Sequence, residues 1–77
     1  MPQILSPLPG TFYRSASPDA PRYKADGDAV AAGDVIGLIE VMKSFHEVRS
    51  ETAGSNIRFL ADNEDPVMAG APLADMD

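Results

Sequence analysis

Seventy-seven residues bound this chain to one small domain with a modest core, ordered largely by regular backbone pairing. The chain has no cysteine, which excludes a disulfide framework, a thiolate metal site and a thiol nucleophile. A formal charge of -6 argues against a sequence-independent nucleic-acid binder, which needs a cationic surface, and suits transient contact with electropositive faces on partner proteins.

Seven prolines and six glycines recur between short apolar stretches. Proline removes a helix hydrogen bond and glycine costs backbone entropy inside a helix, so the pattern reads as all-β rather than as a helical bundle. The start, Met1-Pro2-Gln3-Ile4, lacks a basic region followed by a long apolar core, and no apolar stretch is long enough to cross a bilayer. Neither a signal peptide nor a membrane partner is expected. Ile4-Leu5-Ser6-Pro7-Leu8 opens a first strand, Pro9-Gly10 marks a turn or bulge, and Thr11-Phe12-Tyr13 resumes extended structure. Residues 14–22 carry two prolines and no apolar periodicity, which predicts an ordered excursion or a flexible loop rather than a buried strand. Gly27-Asp28 and Gly33-Asp34 mark turns before Ala29-Val30 and before Val35 and Ile36. After Ala53-Gly54-Ser55-Asn56, the segment Ile57-Arg58-Phe59-Leu60 reads as a strand with Ile57 and Phe59 inward and Arg58 solvated. Pro72 to Asp77 closes the sheet.

The second half repeats part of the first. Val30, Gly33 and Ile36 match Val67, Gly70 and Leu73 in spacing, Asp28 matches Asp65, and each set contains an Ala-Gly pair, Ala32-Gly33 and Ala69-Gly70. Two similar β units, neither able to bury its apolar side alone, would pack as pseudo-symmetric halves. That arrangement puts the Lys43 turn and the Asn63-Glu64-Asp65 turn in related but non-equivalent positions.

The most informative segment is Gly37 to Val48, two short strands around a Met42-Lys43 turn. The expected cross-strand pairs are Val41 with Ser44, Glu40 with Phe45 and Ile39 with His46. A lysine at a hairpin tip is exposed and easily reached by another protein, which suits a substrate for modification better than an acid–base catalyst. Its amine must be deprotonated and oriented before it attacks an activated carboxyl group, and no nearby residue supplies that machinery. Met42 is an apolar side chain at an exposed tip, suited to an adaptable contact with a recognition pocket. Glu40 and Glu47 read as acidic marks or solubilising side chains, and the lone His46 as a surface residue. No catalytic residue and no metal site is expected: there is no phosphate-binding glycine loop, no nucleophile–base constellation and no cluster of histidines with acids.

Ser6-Pro7-Leu8-Pro9-Gly10-Thr11-Phe12-Tyr13-Arg14, Ser17-Pro18-Asp19-Ala20, Glu40-Val41-Met42-Lys43-Ser44, Asp65-Pro66-Val67 and Pro72-Leu73 together resemble the biotin carboxyl carrier family of bacterial and plastid acetyl-CoA carboxylases. The resemblance covers nearly the whole chain. It implies a flattened β-barrel, or barrel-sandwich hybrid, of two four-stranded halves, with residues 1–77 forming one biotinyl domain and 14–22 its thumb-like insertion. It implies biotin joined by an amide to Lys43 by biotin protein ligase, with Val41, Met42 and Ser44 as flanking recognition residues. The ring would take carboxylate at a biotin carboxylase and deliver it to acetyl-CoA at a carboxyltransferase, giving malonyl-CoA for fatty acid synthesis. The location implied is a bacterial cytoplasm, or a plastid if the chain is the mature part of a longer protein. Val41 stands where the family has alanine, Ser44 where it has a second methionine, and Asn63-Glu64-Asp65 where it has a glycine-containing turn, a change that asparagine tolerates. Two other readings compete: a lipoyl carrier domain, against which Met42 stands where an acidic residue is usual, and an unmodified interaction module that keeps the carrier fold.

Overall fold

The computed structural model describes residues 2–77, which form two antiparallel sheets. The strands are β1 (Gln3–Leu5), β2 (Gly10–Tyr13), β3 (Val35–Val41), β4 (Ser44–Arg49), β5 (Arg58–Phe59), β6 (Pro66–Val67) and β7 (Pro72–Asp75). One sheet has the order β4-β3-β2-β6 and the other β1-β7-β5. The all-β, flattened architecture expected from the sequence is the one observed, with extents of 32 × 27 × 19 Å. The second sheet holds three strands. In place of a fourth stands a single bridge, Val30 to Gly54, in which each residue's N–H bonds the other's carbonyl at 2.9 and 2.8 Å.

Several strands are shorter than their apolar stretches predict. β1 stops at Leu5 because Ser6 turns the chain: its hydroxyl donates to the Leu8 carbonyl at 2.6 Å, and Pro7 and Pro9 have no N–H to offer a ladder. β5 keeps only Arg58 and Phe59, since the N–H groups of Leu60 and Ala61 both converge on the Leu73 carbonyl. Arg58 is solvated on its outer side, as period two predicts, and pairs with Asp75 at 2.7 Å and Asp77 at 3.1 Å. The inner faces share one cluster, in which Phe12, Ile36, Ile39, Ile57, Leu73 and Met76 are fully buried. Burial of each such side chain contributes about 1.5–3 kcal/mol, far more than any surface ion pair here. The Phe12 and Phe59 rings join the two sheets, with centroids 6.3 Å apart.

The internal repeat is real and can be followed bond by bond. Residues 37 apart in sequence hold equivalent places, as Asp28 and Asp65 do. Asp28 accepts from the Ala25 N–H and Asp65 from the Asp62 N–H, both at 2.9 Å. The Gly33 N–H bonds the Ser50 carbonyl and the Gly70 N–H bonds the Ser6 carbonyl, both at 2.7 Å. Both serines are buried, and the Ser50 hydroxyl donates to the Thr52 carbonyl as that of Ser6 does to Leu8. Gly10 pairs with Val67 as Gly54 bridges Val30. The ladder of β3 with β4 and that of β7 with β1 each carry a register shift at the corresponding step.

This symmetry corrects one expectation. The counterpart of the Asn63-Glu64-Asp65 turn is Asp26-Gly27-Asp28: the Glu64 N–H bonds the Phe12 carbonyl as the Gly27 N–H bonds that of Ile57. The Lys43 hairpin joins β3 to β4, the pair whose counterpart is β7 with β1. The left-handed residue of the 63–65 turn is Glu64, with φ of 72°, where its counterpart Gly27 has 94°. Asn63 instead accepts from the Arg14 N–H at 2.8 Å.

The symmetry also reveals an insertion between Phe12 and Ala25. Ile57 to Asp62 spans five steps, whereas the equivalent Phe12 to Ala25 spans thirteen, so eight residues are inserted. The insertion is an ordered excursion, closed by an antiparallel bridge between Ser15 and Arg22 and by a bond from the Tyr23 N–H to the Arg14 carbonyl at 3.0 Å. Arg14 at its base is buried, with the guanidinium 3.9 Å from the Phe59 ring centroid and one N–H on the Lys24 carbonyl. The lack of apolar periodicity hid this, because the buried part of Arg14 is its stem and its flat cation on an aromatic face.

Two predictions follow from this packing. A Cβ on Gly10 would collide with the Glu40 carbonyl and lie 2.8 Å from Ile39 Cγ2, so Gly10→Ala lowers unfolding free energy by about 1–3 kcal/mol in urea denaturation. The Asp34 carboxyl is held below its ordinary range by the Ala31 N–H and then by Lys24. Its contribution is therefore complete above the ordinary value of 3.8 and is lost as pH falls through the lower folded value, and Asp34→Asn flattens that part of the stability–pH curve.

Candidate functional site

β3 is one of the two inner strands of its sheet, paired with β2 as Thr11–Glu40, Phe12–Ile39 and Tyr13–Leu38. On its other side it runs into β4 with the pairs Ile39–His46, Glu40–Phe45 and Val41–Ser44, each as read from the sequence. Period two fixes which face each residue takes, and a two-residue turn fixes the register, so the pattern allowed one solution. The turn residues Met42 and Lys43 have φ of 49° and 69°. Two successive left-handed residues make a type I′ turn, whose usual occupants are asparagine and glycine. A side chain costs roughly 1–2 kcal/mol in that region, so the two longest strands of the fold hold a strained tip in place.

The four residues singled out in sequence do not share one environment. Met42, Lys43 and Ser44 are exposed, with Met42 at 93% the most open large apolar side chain among the described residues. Lys43 takes part in no ion pair or hydrogen bond among the described residues. Val41 is half-buried and packs against the core, its Cγ2 3.0 Å from where a Cβ on Gly10 would stand. Its extra methyls, relative to alanine, therefore face inward. Of the two acids near the hairpin, Glu47 pairs with Arg49 at 2.6 Å, and Glu40 lies 3.4 Å from the Tyr13 hydroxyl. Desolvation and then the Glu40 charge push the Tyr13 phenol above its ordinary value, so it stays a neutral donor. His46 is exposed, and no group of three metal-ligating side chains occurs among the described residues.

A cleft of about 730 Å³ opens between the hairpin and the 14–22 excursion. Tyr13, Phe45, Pro18, Pro21, Arg22 and Asn63 line much of it. The Tyr13 and Phe45 rings lie 6.2 Å apart at 55°, and Phe45 remains 59% exposed. The cleft was not foreseen: Tyr13 and Phe45 are 32 positions apart, and only the β2–β3–β4 order brings them together. Their shared face was deducible once Glu40 was paired with Phe45 and β2 was placed beside β3. The arrangement presents the Lys43 amine at the tip, away from the ion pairs and side-chain hydrogen bonds found among the described residues. Replacing Met42 with asparagine, which tolerates the left-handed backbone, raises unfolding free energy by about 0.5–1 kcal/mol in urea titration; a fall would show that the turn is unstrained.

A family model described as "Biotin-requiring enzyme" matches residues 2–76. The chain is 39% identical over 72 residues to the chloroplastic biotin carboxyl carrier protein of acetyl-CoA carboxylase 2 of Arabidopsis thaliana, covering 94% of this chain and 28% of that one. It is 43% identical over 70 residues to the biotin carboxyl carrier protein of acetyl-CoA carboxylase of Chlamydia trachomatis, covering 91% and 43%. It is 36% identical over 70 residues to that of Pseudomonas aeruginosa, covering 91% and 45%. The chain thus spans less than half the length of these relatives. With a presented lysine, a flattened two-sheet fold and a match running almost end to end, the chain belongs to the biotin/lipoyl attachment family, as a non-catalytic carrier domain of the biotin carboxyl carrier kind.

Proposed function

We propose that Lys43 is the attachment point for biotin and that residues 1–77 act as one biotinyl domain, with 14–22 as its thumb. The observation that carries this reading is the exposed, unpaired Lys43 at the second position of a strained two-residue turn. An amine that is to join a long, flexible arm must be reachable by a ligase and free of neighbours that would hold it back, and Lys43 meets both requirements. Biotin, once bound, supplies a ureido nitrogen able to carry a carboxylate in a form ready for transfer.

The residues of the chain divide the remaining work. The β3–β4 ladder keeps the tip from folding back on the sheet. Val41 anchors its base from inside, and Met42 and Ser44 flank the amine, where a biotin protein ligase would read them. The ligase must take a proton from Nζ before the amide forms, since Glu40 and Glu47 are engaged elsewhere. A short tether on a rigid domain raises the effective concentration of the cargo at each site it visits. The relatives are named as carriers of acetyl-CoA carboxylase, one of them chloroplastic, which supports acetyl-CoA as acceptor. On this reading a biotin carboxylase and a carboxyltransferase are the two sites, and a bacterial cytoplasm or a plastid is the location.

Intact mass after incubation with biotin protein ligase, ATP and biotin tests the reading. One biotinyl increment on the chain, absent from Lys43→Arg, is expected. An unchanged mass, with the same ligase loading another carrier in parallel, would favour an unmodified interaction module, and a lipoyl increment from a lipoate ligase alone would favour the lipoyl reading.

A further inference from the structure

Three methionines lie among the described residues, in three different environments. Met76 has no exposed surface and fills the core against Gly54. Met68 is 71% exposed and lies in the turn between β6 and β7. Met42 is 93% exposed and is bonded directly to Lys43. Its left-handed backbone, φ 49°, sets it at the tip, beyond the last pair of the ladder, Val41–Ser44. Thioether oxidation follows access, so of the three methionines among the described residues the one most open to an oxidant is the one beside Lys43.

We propose that Met42 is a reversible oxidation site that controls loading of Lys43. The proposal rests on the reading that a ligase loads Lys43, and adds a regulation to that site. A hydroperoxide is the oxidant: its O–O bond breaks, its terminal oxygen forms an S=O bond to the Met42 sulfur, and the remainder leaves as water or an alcohol. Sulfur is oxidised by two electrons and the peroxide is reduced by two. Two thiols reverse the step, taking the oxygen away as water and leaving as a disulfide. The product carries a strong acceptor where a flexible apolar group stood. A pocket shaped for a thioether must then bury that oxygen without a donor, which costs enough to slow capture of the tip about tenfold or more.

Ser44 sharpens the effect. The exposed hydroxyl on the other side of Lys43 offers no second apolar contact, so among Met42, Lys43 and Ser44 recognition leans on Met42 alone. The buried Met76 provides an internal control, since it should stay reduced under the same treatment.

The test uses the carrier in its Met68→Leu form, in which the other well-exposed methionine described here is removed away from the hairpin. After limited hydrogen peroxide, peptide mass mapping should find the sulfoxide on Met42 and not on Met76. The initial rate of biotin loading should fall about tenfold or more and return after treatment with methionine sulfoxide reductases and a dithiol. Met42→Leu, whatever its own rate, should keep that rate through the same treatment. Equal loading rates at full Met42 oxidation overturn the proposal, as does a Met42 left reduced under conditions that oxidise Met68 in the unsubstituted chain. The untreated carrier separates the two ideas. If it loads and oxidation changes nothing, the oxidation proposal alone fails; if it never loads, the attachment reading fails and the proposal falls with it.

Discussion

Neither sheet of this domain can bury its apolar face except against the other. Phe12, Ile36 and Ile39 come from the sheet that ends in the hairpin, and Leu73 and Ala74 from the sheet opposite; Ile57 and Met76 flank the strands of the latter. All of them share one cluster. In 77 residues there is no second layer to fall back on, so mutual burial of two small sheets sets everything else. It explains why the same polar devices appear twice. Each sheet must be held at the same separation, and a buried serine, a glycine at its contact and an Asp-closed turn do this at both ends of the pseudo-twofold axis.

The repeat is imperfect in the two places that matter for presentation. One is the hairpin, where β3 passes into β4 through the left-handed pair Met42 and Lys43. The other is the eight-residue insertion, which has no counterpart after Ile57 and reaches up beside the hairpin. Arg14 anchors the insertion on Phe59, whose ring stacks on Phe12. The insertion is thereby tied to the contact between the sheets, and the rim of the cleft inherits the rigidity of the core.

Rigidity beneath and exposure above suit a part whose reactive end must be handled by several enzymes. The strain at Met42 and Lys43 is kept because the six residue pairs of the β3–β4 ladder over-determine the turn. A glycine there would relax the backbone but remove an apolar side chain from the place where it is most accessible. Lys24, Arg49 and Arg58 are each paired with an acid, Arg14 is buried on Phe59, and Arg22 lines the cleft, while Lys43 is the cation of the turn itself.

The sequence by itself determined the hairpin and the repeat. Alternation between Gly37 and Val48 around two turn residues admits one register, and all three predicted pairs are present, because both face and register are local properties. Matching Asp, Gly and apolar spacings likewise reported two equivalent turns, since each turn closes on its own aspartate. Tertiary structure decided what depends on distant neighbours. Arg14 reads as a polar loop residue until Phe59 is placed beneath it. Val41 reads as a flank of the lysine until Gly10 is placed against its inner side. The partner of each turn and the meeting of Tyr13 with Phe45 follow from strand order, which separates residues far apart in sequence by one strand spacing in space. Composition and period speak for a residue's own strand; only packing says what lies on the other side of it.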